Sequence, residues 1–328
     1  MRKIKSIINK IIFAIVVIII AFLIIESNID IKTFVENLAT NVINKENEVI
    51  NEHEKITNEE KNTDTNFANK ISIDNNKLNI IFFNVGQADS TLIICDGNTF
   101  LIDAGNTFDG KKLVKGIKEL GIERLDYVIG THAHEDHLGG MSFIIDNFEI
   151  GNYYMPYCSL NENAFYSRLL KSLSNKNLTI NQVEIGNEFF LGNGKIEVMG
   201  VKNNEPEDLN ESSIILELYY GSLKYLFMSD AVTENEKERT WNDIDILKVG
   251  HHGSIFSTTD EFLNQVLPEV SIISVGSNND YNLPNEVVLK KLYEMGSEIY
   301  RTDLDGTIQI ISDGEKFEII KIDESFDG

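Results

Sequence analysis

Thiol groups and positive charges are both scarce in this chain of 328 residues. Cysteine occurs only at Cys95 and Cys158, with no C-x-x-C pair, so neither a disulfide framework nor a thiolate zinc site is indicated, and both are expected to be small buried residues. Lysine and arginine number 29 against 52 acidic residues, a formal net charge of −23 that disfavours non-specific nucleic-acid binding. The sequence also lacks a G-x-x-x-x-G-K-[ST] phosphate loop.

A single long apolar run lies near the amino end. Residues 11–25 form an unbroken apolar stretch of 15, preceded by four basic residues within the first ten. Counting back to residue 7 gives about the 20 residues that span a bilayer. The positive-inside rule then predicts residues 1–25 as a cytoplasmic tip and transmembrane anchor, with the rest of the chain outside the cell. A cleaved signal peptide is the alternative, although no A-x-A-like site follows the run.

Residues 26–77 are predicted to form a polar linker or stalk between the anchor and a catalytic domain at 78–328. This tract contains 12 Asn, 11 acidic residues and 6 Lys, and it has neither Gly nor Pro. A heptad-like apolar spacing within it, broken by Lys45 and Glu52, leaves open a weak coiled coil through which chains self-associate. A solvated linker is the simpler interpretation.

From residue 78 onward, short β-rich runs alternate with turns and amphipathic helices. Strand-like runs such as "LNIIFFNV", "LDYVIGTH", "LKYLFMSD" and "DIDILKVG" fall in two series. Helices are expected near residues 110–120, 138–148, 258–267 and 286–295. Two groups of strands, each covered by helices, predict an α/β (α+β) domain built as a four-layer αββα sandwich.

The segment "THAHEDHLGG" carries an H-x-H-x-D-H motif. His132 and His134 are two residues apart, so they can point toward one cation, whereas the neighbouring Asp136 and His137 diverge and can serve a second one. A structural zinc ion would instead need four closed ligands. The spacing therefore predicts two metal positions, and the simpler alternative is an exposed loop with incidental histidines.

Further candidate ligands follow two later strand-like runs. Asp230 ends "LFMSD", where it can bridge two ions, and His251 and His252 follow "LKVG". An Asp after a strand is often only a turn or cap residue. However, all five histidines outside the linker fall in these two clusters, a distribution that core packing does not explain.

The ordered series "FFNVGQADSTLI", "LIDAG", "THAHEDHLGG", "LFMSD" and "LKVGHHGS" resembles the metallo-β-lactamase superfamily, and within it the hydrolase domain of the ComEC-like competence (DNA-uptake) branch. The resemblance implies the metallo-β-lactamase sandwich. It places metal 1 on His132 and His134, metal 2 on Asp136 and His137, and Asp230 between them. One of His251 and His252 completes metal 2, and the choice stays open.

The chain departs from that family at the metal 1 ligands and at three other positions. No histidine lies between 137 and 251, where many members have a further ligand to metal 1, so metal 1 is expected to be weaker or partly ligated by water. Asn210 or Ser213 is a candidate neutral donor that points into the site behind the metal ligands. Asn84 and Ala88 replace the branch's usual Asp and Gly, and Leu283 replaces a histidine before proline. The last difference suggests a different substrate preference.

The resemblance and the ligand types together imply a hydrolase whose nucleophile is a metal-bound hydroxide. Two divalent ions, zinc first with manganese or iron as alternatives, would activate the water, while Asp136 and Asp230 orient it. Asp103 is expected to fix a ligand imidazole, and the spare histidine, assigned as His252, to protonate the leaving group. The expected substrate is a phosphodiester, either DNA or a small molecule. The alternatives are a phosphocholine ester, lactone, β-lactam or thioester, or a non-catalytic binding domain.

Overall fold

The computed structural model describes residues 71–157, 163–203 and 208–322. The predicted anchor at residues 1–25, most of the predicted linker, its heptad-like spacing and Cys158 all lie outside these ranges. Within them, no helix is both long enough and apolar enough to cross a bilayer.

Fifteen strands run through the described residues, most of them short and rich in β-branched or aromatic residues. The strands are β1 (Leu78–Phe82), β2 (Thr91–Cys95), β3 (Asn98–Ile102), β4 (Arg124–Ile129), β5 (Glu149–Tyr154), β6 (Ile180–Asn181), β7 (Glu188–Leu191), β8 (Gly194–Gly200), β9 (Ile215–Tyr220), β10 (Leu223–Phe227), β11 (Ile246–Lys248), β12 (Val270–Ile273), β13 (Glu298–Arg301), β14 (Thr307–Ser312) and β15 (Phe317–Ile322).

The strands form two mixed sheets. The first has the order β15-β14-β1-β2-β3-β4-β5-β6, with antiparallel pairing from β15 to β3 and parallel pairing from β3 to β6. The second has the order β13-β12-β11-β10-β9-β8-β7, parallel from β13 to β10 and antiparallel from β10 to β7. Each sheet therefore contains parallel strands whose carboxyl ends share one edge, which is where ligand sites form in open sheets.

Eight α-helices and two 3₁₀ turns connect the described strands. They are α1 (Gly110–Glu119), α2 (Glu135–Leu138), α3 (Met141–Asn147), α4 (Ala164–Asn175), α5 (Thr233–Lys237), α6 (Asp260–Val266), α7 (Glu286–Glu294), α8 (Thr302–Asp305) and the 3₁₀ turns Leu209–Ser212 and Gly250–Gly253. The helices predicted near 110–120, 258–267 and 286–295 are confirmed. The helix predicted near 138–148 is divided by Gly139 and Gly140 into α2 and α3.

Three apolar cores separate four layers, so the predicted αββα arrangement is confirmed. Between the two sheets, Phe100 from β3 packs against Phe189 from β7 with ring centroids 5.3 Å apart. Helices α1, α3 and α4 cover the outer face of the first sheet with residues such as Leu113. Helices α6 and α7 cover the second sheet with residues such as Phe262 and Leu292.

Packing of the domain starts upstream of β1. Ile71 is 5% exposed and belongs to the core outside the first sheet. The Gln309 side-chain amide donates a hydrogen bond of 2.8 Å to the Ser72 carbonyl. Residues of the segment predicted as linker therefore contribute to the core from residue 71 onward.

Candidate metal centre

The candidate ligands all follow parallel strands at the same edge of the two sheets. Asp103 follows β3 directly, and the segment 132–137 follows its parallel neighbour β4. In the second sheet, Asp230 follows β10, and His251 and His252 follow its parallel neighbour β11. The two edges are joined where Ile214 N donates to Thr131 O at 3.0 Å. The fold thus brings together side chains that are up to 149 positions apart along the chain.

The H-x-H-x-D-H motif begins extended and then turns into helix α2. His132 and His134 lie on the extended part, with His132 Nε2 and His134 Nδ1 3.0 Å apart, so both rings face one point. Asp136 and His137 lie on the first turn of α2. The motif therefore holds two candidate ligands before the helix and two on it.

Glycines hold this motif close to the loop that carries Asp103. A Cβ at Gly140 would collide with the Ala104 carbonyl oxygen. At the same point Gly140 N donates to Gly105 O at 3.0 Å, and Ala104 N donates to His137 O at 2.8 Å. A side chain at this position would push α2 away from the loop, so the glycine is required by the close approach.

Asp230 lies between two groups of donor atoms. Its Oδ1 is 3.3 Å from His137 Nε2 and 3.6 Å from His252 Nε2. Its Oδ2 is 3.9 Å from His132 Nε2 and 3.8 Å from His251 Nε2. Each carboxylate oxygen therefore faces its own pair of imidazole nitrogens.

The remaining motif residues extend these two groups. Asp136 Oδ2 is 3.4 Å from His252 Nε2 and 4.0 Å from His137 Nε2, on the Oδ1 side of Asp230. His134 contacts His132, on the Oδ2 side. All seven sequence-predicted ligands thus converge, with His252 beside the expected metal 2 group and His251 beside the expected metal 1 group.

Two consecutive left-handed residues allow His251 and His252 to reach opposite sides of Asp230. Their φ angles are 49° and 53°, a region that non-glycine residues adopt rarely and at a cost of about 1–3 kcal/mol each. Ser229 (φ 51°) and Asp103 (φ 59°) adopt it as well. Strain of this kind is retained where the surrounding structure fixes side chains for a function.

A buried residue outside the sequence-predicted set joins the cluster. One ligand atom each from Asp89, His137, Asp230 and His252 lie within 4.8 Å of one another, and all four residues are buried. Among the described residues, His137 Nε2, His252 Nε2, Asp230 Oδ1 and Asp89 Oδ1 have no hydrogen-bond partner. Buried polar atoms are normally satisfied, so this mixture of imidazole and carboxylate donors fits a divalent cation.

The Nδ1 atoms of His137 and His252 have hydrogen-bond partners, which fix the orientation of each ring. His137 Nδ1 lies 2.7 Å from Asp103 Oδ2, and His252 Nδ1 lies 2.8 Å from the Ser274 carbonyl oxygen. Such partners keep Nδ1 protonated and leave Nε2 free for a cation. Asp103 also accepts hydrogen bonds from Thr131 N at 2.8 Å and Thr131 Oγ1 at 2.7 Å.

The sequence-predicted neutral donors lie in the turn before β9. Asn210 and Ser213 are buried, and neither Asn210 Oδ1 nor Ser213 Oγ has a hydrogen-bond partner among the described residues. Leu283 is half-buried beside the same edge, near Pro284, which packs against Gly253. Cys95 is a free, buried thiol, as expected.

The electrostatics of the cluster favour ionised carboxylates. Burial opposes charge on Asp230, yet His252 and His137 hold the pKa of this carboxyl well below its usual range. Burial also opposes an imidazolium at His137, but Asp230 and Asp103 hold its pKa well above its usual range. For His252, burial is likewise outweighed, and Asp230 and Asp136 raise the pKa to about 9.

We expect cation binding near pH 7 to release about one proton or more. Without a cation, His252 with a pKa of about 9 is protonated at this pH, so a bound cation must displace its proton. Cation affinity should therefore rise between about pH 7 and pH 9. Calorimetric titration in two buffers of different ionisation enthalpy measures the proton count, and equal heats in both buffers at pH 7 would contradict the expectation.

Comparison with known proteins agrees with this geometry. The profile of the Metallo-beta-lactamase superfamily matches residues 83–277, which run from the end of β1 to the loop after β12 and include every candidate ligand. This match covers more than half of the chain.

Three curated proteins are each similar to more than two thirds of the chain. ComE operon protein 3 of Bacillus subtilis (strain 168) is 30% identical over 247 residues, covering 69% of this chain and 32% of that protein. Recombination protein 2 of Haemophilus influenzae (strain ATCC 51907 / DSM 11121 / KW20 / Rd) is 28% identical over 245 residues, covering 72% and 29%. Competence protein ComA of Neisseria gonorrhoeae is 25% identical over 244 residues, covering 73% and 33%. The matched region spans about a third of these relatives' length, and the similarity to the ComEC-like competence proteins is confirmed. With its two-sheet sandwich, its converging histidines and aspartates and its profile match, the chain belongs to the metallo-beta-lactamase superfamily.

Proposed function

We propose that this chain is a membrane-anchored, outward-facing hydrolase that uses two divalent cations to cleave a phosphodiester. The observation that supports it best is the position of Asp230, whose two oxygens face separate pairs of imidazole nitrogens. Bound cations in such a pair lower the pKa of a water molecule toward 7 and stabilise charge on the attacked group and the leaving oxygen. Zinc is the first candidate, with manganese and iron as alternatives, because imidazole and carboxylate ligands suit all three.

The protein's own contribution is to hold the donors in place and to order the reacting groups. Asp230 and Asp136 offer ionised oxygens, since nearby imidazoles hold the pKa of both carboxyls below the usual range. These oxygens can accept a hydrogen bond from the attacking water and so fix its direction. Asp103 keeps His137 in the tautomer that presents Nε2 to the cluster.

The two adjacent histidines divide the remaining roles. His252 is 2% exposed and its Nδ1 is held by Ser274 O, which suits a ligand better than a group that exchanges protons with substrate. The His251 side chain is 21% exposed, and its Nδ1 has no hydrogen-bond partner among the described residues. The geometry therefore supports His251 for contact with the leaving group, in place of the His252 assignment made from sequence.

The choice of a phosphodiester rests on the competence-type relatives, one of which is named Competence protein ComA. The anchor is proposed from residues 1–25, and the acidic composition favours a small substrate or a locally bound DNA end over extended contacts with a DNA backbone.

The direct test is hydrolysis of bis-p-nitrophenyl phosphate by the full chain. We expect release of p-nitrophenol with zinc or manganese, loss after chelation, and recovery when the cation is returned. Glu135→Ala is the matched control, because Glu135 belongs to the same helix but contacts Thr107 at 2.8 Å. No release with any cation would reject the proposal, and faster cleavage of a lactone, lactam, thioester or phosphocholine ester would reassign the substrate.

A further inference from the structure

Asp89, in the loop between β1 and β2, is hydrogen-bonded to the metal motif through its backbone. Its N donates a hydrogen bond of 3.0 Å to Asp136 O, and its O accepts one of 2.9 Å from Gly105 N. The residue is only 5% exposed. Its position relative to the H-x-H-x-D-H segment is therefore fixed by the main chain.

The Asp89 carboxylate has one oxygen paired and one oxygen free. Oδ2 lies 2.8 Å from Lys248 Nζ, while Oδ1 is buried without a hydrogen-bond partner among the described residues. A carboxylate oxygen of Asp89 lies within 4.8 Å of the donor atoms of His137, Asp230 and His252. An orphaned buried carboxylate oxygen is costly, and a cation at this point would satisfy it.

Packing alone does not explain why Asp89 forms a buried ion pair with Lys248. Lys248 is 3% exposed, and its neighbours Leu247 and Val249 are fully buried in apolar surroundings. Two buried charges lose their hydration, so apolar residues of similar volume are often as stable as a buried ion pair. A pair retained beside a cluster of unsatisfied donors points to a role in that cluster.

We propose that Asp89 is a further ligand to the cation between Asp136, His137 and His252, and that Lys248 is the positioning residue that holds it. Lys248 binds Oδ2, which leaves only Oδ1 directed to the cation, and its charge compensates one carboxylate. This inference rests on the cation site of the proposed function but on no particular substrate.

A double substitution separates a ligand role from a role in folding. In Asp89→Leu/Lys248→Met both charges are removed together, so no unpaired charge stays buried and the metal-free protein is expected to keep its melting temperature. The affinity of the full chain for one of two Mn²⁺ equivalents should fall at least about 10-fold in calorimetric titration, with the other equivalent unchanged. Arg124→Met is the control, since it removes an ion pair with Asp126 at the opposite end of β4.

A second variant gives a spectroscopic readout that a structural role would not change. Asp89→Cys places a thiol near the position of the Asp89 Cγ, one bond short of the proposed ligand oxygen, and a thiolate bound to Co²⁺ produces a sulfur-to-metal charge-transfer band. We expect this band in the cobalt-loaded variant and not in the cobalt-loaded wild type.

The proposal is overturned if the folded double variant binds both cations with wild-type affinity. A wild-type chain that binds cations but cleaves no phosphodiester would reject the proposed substrate and leave this assignment standing. A wild-type chain that binds no cation would reject both.

Discussion

Replacing Asp230 with alanine is expected to abolish hydrolysis and to release both cations. The two carboxylate oxygens face different imidazole pairs, so the substitution removes a ligand from each group at once. It also removes the charge that holds the pKa values of His137 and His252 above their usual range. We expect kcat/KM to fall at least about 10³-fold, because the loss of a single preorganised electrostatic contact already has an effect of this size.

Asp230→Asn refines this expectation. Asparagine keeps one oxygen but replaces the other with an amide nitrogen, which carries no lone pair for a cation. This variant should retain at most one cation, so metal analysis after dialysis should give a ratio near one per chain for Asn and near zero for Ala. Asp243→Ala is the matched control, because the Asp243 side chain is 83% exposed and pairs with Lys224 at 3.4 Å. Two cations retained by Asp230→Ala would refute the bridging role.

The convergence of the candidate ligands could be predicted from sequence because they are local in the chain or follow a strand. The H-x-H-x-D-H spacing fixes its own geometry on a short turn. Asp230 and the His251-His252 pair were recognisable because each follows a buried strand, and parallel strands share an edge. The division of the two histidines between the two groups was not predictable, since it depends on two successive left-handed backbone conformations.

Asp89 and Lys248 were missed because their contact joins positions 159 residues apart, one in the loop between β1 and β2 and the other in β11 of the second sheet. A single clue was present in the sequence, a lysine within the otherwise apolar end of "DIDILKVG". A charged residue in a buried strand calls for a partner, but the sequence does not say which of many carboxylates it is.

Several elements away from the site were also missed. Strand β7 alternates exposed and buried residues and β8 alternates buried and half-buried ones, the pattern of strands with one solvated face, but β7 has only four residues. Helix α4 was not among the predicted helices, although Asn163 caps its first turn by accepting a hydrogen bond from Phe165 N.

Replacing Asp103 with asparagine is expected to impair cation binding while the fold is kept. Oδ1 of Asp103 accepts from Thr131 N, so the asparagine must present its oxygen there and its NH₂ group toward Thr131 Oγ1 and His137 Nδ1. An amide donor facing Nδ1 selects the tautomer with the proton on Nε2, the nitrogen that faces Asp230 Oδ1 at 3.3 Å. That proton blocks the cation, so we expect affinity and activity to fall by about 10- to 100-fold or more.

Asp103→Ala separates this tautomer effect from the loss of the hydrogen bonds themselves. Ser229 Oγ donates to Thr131 Oγ1 at 2.6 Å, so a buried chain of hydrogen bonds runs from Asp230's neighbour through Thr131 and Asp103 to His137. Alanine breaks this chain and leaves an imidazole without its carboxylate, at a cost of about 3–5 kcal/mol. In a domain of this size each kcal/mol lowers the melting temperature by about 2–4 °C, so a fall of roughly 10 °C is expected for Ala and little change for Asn. The assignment is tested by measuring thermal unfolding of both variants without metal and comparing it with their cation affinities. Normal cation binding by Asp103→Asn would show that Asp103 supports only the fold.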